Sequence, residues 1–218
     1  MSALYSDKRG FTILELLVAC AVLVILMSLV IAFLVPGMRI SALGAARVEI
    51  QQEALRSIQK INTDLDLSVP AGVGLYITGA VPKQGPLYLS VMRLSYVDPQ
   101  GKQLWEDNLV VYSWKGPGTP LVRKVWTPSS QPALGLTFTT PSRFLQSQII
   151  QIADEPLLRG QIVARDVAEL NMESSSAAPT VSSPVKITIK LSREAATGRK
   201  DPEVFELSRT IGLRNQTP

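Results

Sequence analysis

Glu15 is the residue whose type and place most demand chemistry. It stands in a run from Phe11 to Val35 in which only Thr12, Glu15, Cys20 and Ser28 are not plainly apolar. An ionisable side chain in such a run is costly, because the water that would solvate it is missing, and groups that persist there have partners. No Lys or Arg lies between Phe11 and Val35, so the helix has no cation of its own and the partner is expected from elsewhere. Other reactive patterns are sparse. The chain has no histidine, which removes the commonest general base and metal ligand. Its single cysteine, Cys20, excludes an intrachain disulfide or a thiolate cluster. Gly116-Pro117-Gly118 lacks the lysine and spacing of a phosphate loop. Asp64 with Asp66, and Asp154 with Glu155, are carboxylate pairs without calcium-loop spacing, and they read as solvated surface. Trp105, Trp114 and Trp126 could form a binding platform but read as core or edge packing. No catalytic residue, cofactor or metal is expected.

The elements that must position Glu15 follow from hydropathy. A helix over residues 11–35 is about 37 Å long, enough to cross a hydrocarbon core of about 30 Å. Lys8 and Arg9 precede it, and the positive-inside rule keeps them in the cytoplasm with the rest of the chain outside. Pro36-Gly37 follows, where the helix is expected to bend, loosen or restart. From Met38 to Asp66 the pattern is amphipathic: Ile50, Ala54, Ile58, Ile61 and Leu65 form one stripe, with Arg47, Gln51, Arg56 and Lys60 on other faces. Asn62 to Ser68 with Pro70 gives a stop.

The segment Lys8-Arg9-Gly10-Phe11-Thr12-Ile13-Leu14-Glu15-Leu16-Leu17 resembles the class III signal sequence of type IV prepilins and type II secretion pseudopilins. The resemblance implies a leader over residues 1–10, cut after Gly10 by prepilin peptidase, and N-methylation of the new first residue, Phe11. It makes Glu15 the fifth mature residue, which in that family pairs during assembly with the first-residue amine of a neighbouring subunit. It also implies an assembly helix over 11–35, an amphipathic continuation over 36–68 and a globular domain over 69–218. The implied partners are other major and minor pilin-like subunits, the peptidase and an inner-membrane assembly platform. The implied location is the inner membrane, single-pass, and then a filament. Three other readings fit less well. A plain signal anchor leaves Glu15 and the Gly10-Phe11 junction unexplained. A secretory signal peptide has an apolar core of roughly 7 to 15 residues, shorter than this run. Leu17-Val18-Ala19-Cys20 forms a lipobox, but the apolar run continues well past Cys20.

Beyond Pro70 the composition turns to Gly, Pro, Ser and Thr with alternating β-branched runs. Val69 to Gly85 is loop-rich with weak strand character. Strands are expected over Leu87–Val97, Leu109–Trp114, Leu121–Trp126, Gln161–Met172, Val185–Leu191 and Val204–Leu213, with a short one over Leu134–Thr139. Lys115 to Gly118 is the turn of a hairpin, and Val185–Leu191 pairs with Val204–Leu213. Ser142 to Ile152 fits helix or strand, and Glu173 to Ser183 reads as a mobile loop. The fold class is therefore α+β, a long helix packed on an antiparallel sheet. This half resembles minor subunits of the family, the J-type pseudopilin and the W-type minor pilin. The function implied is a structural filament subunit acting in assembly or initiation. The alternative is a membrane-anchored binding module outside any filament, for DNA uptake or adhesion. Lys186, Lys190, Arg193, Arg199 and Lys200 are the mild basic region a weak DNA contact would use, although such residues are usually solvated faces.

Overall fold

The structure, a computed structural model, describes residues 12–78, 85–128, 140, 144–193 and 202–213. The chain divides into two compact units, Met1–Ala45 and Ala46–Pro218. Helix α1, Ile13–Asp66, contributes to both.

Within the first unit the helix is mostly apolar, with Glu15 in its first turn and Arg39 after Pro36-Gly37. Its most apolar window has a mean hydropathy of 3.2 and no buried residue, so it is long and apolar enough to cross a membrane. Ser28, the polar residue of this stretch, donates its hydroxyl to the carbonyls of Val24 (3.0 Å) and Ile25 (2.8 Å). The helix thereby satisfies that hydroxyl without water. The helix also runs unbroken through Pro36 and does not stop and restart there. Proline removes one backbone hydrogen bond, but a break in an apolar environment would orphan several more donors and acceptors.

In the second unit the predicted stripe is the packed face. Ile50, Ala54, Ile58, Ile61 and Leu65 are all 0–1% exposed. They lie on a seven-stranded antiparallel sheet whose strands neighbour each other in chain order. The strands are β1 (Val73–Ile77), β2 (Leu87–Val97), β3 (Gln103–Trp114), β4 (Thr119–Trp126), β5 (Gln161–Glu173), β6 (Val185–Arg193) and β7 (Glu203–Ile211). The alternation of β6, with Val185, Ile187, Ile189 and Leu191 buried, carries the sheet side of the helix-facing core. A second core lies on the opposite face, where α2 (Gln146–Asp154) brings Ile149 and Ile152 onto Tyr88, Leu109, Val111 and Trp126. The α+β architecture expected from the pattern is the one observed.

β2 keeps the predicted limits, and the β3–β4 and β6–β7 hairpins form as expected. Gly116 and Gly118 in the β3–β4 turn have φ of 127° and 77°, the region glycine enters without strain. β3 starts at Gln103, earlier than expected, because its polar first half pairs with the bulged end of β2. The weak strand signal after Val69 becomes a 3-10 turn, Pro70–Gly72, and then β1. The ambiguous stretch around residue 146 is helical. The strand expected over Leu134–Thr139 lies outside the described residues. The segment after Glu173, expected to be mobile, is pinned by hydrogen bonds. Ser182 donates its backbone N–H to Ser174 Oγ (2.8 Å), Leu75 N–H donates to Pro179 O (3.0 Å), and Thr180 bridges Gly74. This strap covers the open side of β1.

Candidate functional site

Two carboxylates carry the polar interest of the chain, one in each unit. Glu15 lies in the first turn of α1. Its Oε2 accepts from the Thr12 backbone N–H (3.0 Å) and the Thr12 hydroxyl (3.1 Å), while Glu15 N–H donates to Thr12 Oγ1 (3.2 Å). This is a reciprocal capping box, in which each end satisfies a donor that the helix start leaves unpaired. The helix lacks a cation for Glu15, as expected, but the carboxylate does have two neutral donors close by, both from Thr12, the residue before α1. Among the described residues nothing cationic takes part in the box. Gly10 and Phe11, the expected cleavage junction and methylation site, lie outside the described residues.

Asp64 lies near the other end of α1, and its side chain is fully buried, against the expectation of solvated surface. The physical reason is its place on the packed stripe, three residues after Ile61 and one before Leu65. Its Oδ1 accepts from Arg93 of β2 (2.6 Å), and its Oδ2 accepts from Arg123 Nε of β4 (2.8 Å) and from the Tyr112 hydroxyl of β3 (2.5 Å). One carboxylate therefore joins the helix to three consecutive strands. Burial strips water from Asp64 and is the largest single influence, pushing its pKa up. Hydrogen bonds from Arg123, Tyr112 and Arg93, with the Arg123 charge, outweigh it and hold the carboxyl below its ordinary range. Burial, then the neighbouring Asp64 charge, pushes the Tyr112 phenol above its usual range. Charge-assisted bonds of this kind are the strong ones, and they fix geometry as well as energy.

The other candidates resolve plainly. Trp114 and Trp126 are core residues at 0% and 1% exposure, and Trp105 packs at the edge of the second core. Asp154 is half-exposed and pairs with Lys115 at 2.7 Å. In the basic region, Arg193 meets three carboxylates: Glu53 (2.7 Å), Asp166 (3.0 Å) and Glu49 (3.2 Å). Asp166 reaches it from a left-handed backbone position, φ 51°, beside a register shift in β5. Lys186 lies 4.0 Å from Glu173. Arg199 and Lys200 fall outside the described residues.

Residues 5–31 match the family described as the prokaryotic N-terminal methylation motif. No curated protein and no solved structure matches the chain. The matched span contains the Gly10-Phe11 junction and Glu15, so the chain carries a type IV pilin-like class III signal sequence. That motif, the helix behind it, long and apolar enough to cross a membrane, and the α+β architecture fit a type IV pilin-like protein.

Proposed function

We propose that this chain is a minor pilin or pseudopilin, a non-enzymatic structural subunit that helps initiate or assemble a type IV pilus or a type II secretion pseudopilus. The observation that carries the reading is the methylation motif with an acid at the fifth place after its glycine, Glu15 after Gly10. In this reading residues 1–10 are removed, Phe11 is methylated, and 11–35 holds the chain in the inner membrane with the sheet domain on the extracytoplasmic side. Glu15 then pairs with the Phe11 amine of a neighbouring subunit. Two isolated charges in apolar surroundings are costly, whereas one close pair is tolerable and also sets axial register.

Cys20 gives a direct reporter, because it is exposed on the helix and is the chain's single thiol. With a cysteine introduced at matching depth in a major subunit, oxidation should give a cross-linked heterodimer in cells that contain the assembly machinery. The product should be lost when the assembly platform is removed. A heterodimer that never forms at any depth, with both chains present in the membrane, would count against a filament role.

A further inference from the structure

We propose that Thr12 is a positioning residue for Glu15, fixing the carboxylate so that one oxygen faces outward to receive an ammonium group. The inference rests on the reading that Glu15 pairs with a neighbouring subunit's amine, and it adds the group that prepares Glu15 for that meeting. Both Thr12 donors fall on the same oxygen, Oε2, at 3.0 and 3.1 Å. Oε1 accepts no hydrogen bond from the described residues. The return bond, Glu15 N–H to Thr12 Oγ1 at 3.2 Å, closes the ring and fixes the Thr12 hydroxyl in turn.

A free glutamate samples many rotamers, and in apolar surroundings most would present a bare charge to hydrocarbon. The box selects the arrangement that lies over the helix start, where the helix dipole favours negative charge. It also replaces part of the lost hydration while leaving the second oxygen available. An ammonium can therefore join without displacing Thr12. A capping box by itself only starts a helix. What makes this one more than a helix start is its acid, Glu15, within an otherwise apolar span.

The test compares Thr12→Val, which removes the hydroxyl at nearly constant shape, with Thr12→Ser, which keeps it. Glu15→Gln serves as the reference. All are expressed as full chains in cells with the complete machinery. Thr12→Val should reach the membrane at the wild-type level yet enter filaments roughly tenfold less, the loss expected for one hydrogen bond to a charged group, and Thr12→Ser should restore entry. Wild-type entry of Thr12→Val alongside blocked Glu15→Gln would overturn the role of Thr12 alone. Wild-type entry of Glu15→Gln would overturn the pairing itself. Because Thr12 is close to the cleavage junction, a second readout works on cut or uncut chains: infrared spectroscopy of isotope-labelled Glu15 in bilayers. Its carboxyl band should shift in Thr12→Val and return in Thr12→Ser, and an identical band in all three chains would overturn the proposal.

Discussion

Replacing Asp64 with alanine should lower the stability of the sheet domain by about 3 to 5 kcal/mol, the range for breaking a buried ion pair from one side. The loss arises less from missing attraction than from the guanidiniums left behind. Arg123 is only 12% exposed and would lose its bidentate partner, and Tyr112 would lose the shorter of its two hydrogen bonds, keeping the one to Lys60 O at 3.3 Å. Arg93 is 26% exposed and has Glu106 at 3.9 Å, which places the effect toward the lower end of the range. In thermal unfolding of the detergent-solubilised chain this corresponds to a fall in Tm of roughly 6 to 12 °C. Asp66, two residues on, is exposed and bonded to Asn62, so Asp66→Ala should be nearly silent. The same pair gives a pH test. The folded pKa of Asp64 is depressed, so its contribution is fully present above the ordinary carboxylate range, near pH 4, and is lost as pH falls through the lower folded value. Wild type should therefore lose stability below about pH 4 more steeply than Asp64→Asn. Equal acid slopes, or an Asp64→Ala chain as stable as wild type, would show that the network holds nothing.

Glu15→Leu should leave the chain in the membrane at its normal level and reduce its presence in assembled filaments by roughly tenfold or more, since one side of a low-dielectric pair is removed. Membrane retention should not suffer, because the substitution only makes the run more apolar. A monomeric anchored receptor would not respond to the change, so the ratio of filament to membrane signal, measured by immunodetection, separates the two classes of function.

The parts of this molecule that were legible in sequence are those set by short-range periodicity. The stripe Ile50, Ala54, Ile58, Ile61, Leu65 repeats at helical spacing, and each member is buried. β2 and the hairpin of β6 with β7 follow from alternation between turn signals. What escaped depended on partners distant in the chain. Asp64 meets Arg93, Tyr112 and Arg123, which lie 29, 48 and 59 residues away. An acid at a helix end reads as surface unless its place on the buried stripe is noticed, and that spacing from Ile61 was the available signal. The capping box was local and therefore findable: Thr12-x-x-Glu15 is the standard pattern, overshadowed by the apolar run it opens. β3 hid its first half because Gln103, Glu106, Asp107 and Asn108 do not alternate like a buried strand. The serine-rich segment after Glu173 has the composition of a mobile loop, yet its hydroxyls serve one another and hold the strap against β1.

In the proposed function the polar leader before Phe11 is removed and the apolar helix begins a mature subunit. Mass spectrometry of the N-terminal peptide, from chain isolated out of cells that carry the peptidase, tests it most directly. The expected first residue is Phe11, bearing one added methyl group on its amine. A peptide that still begins at Met1, uncut and unmethylated, would contradict it.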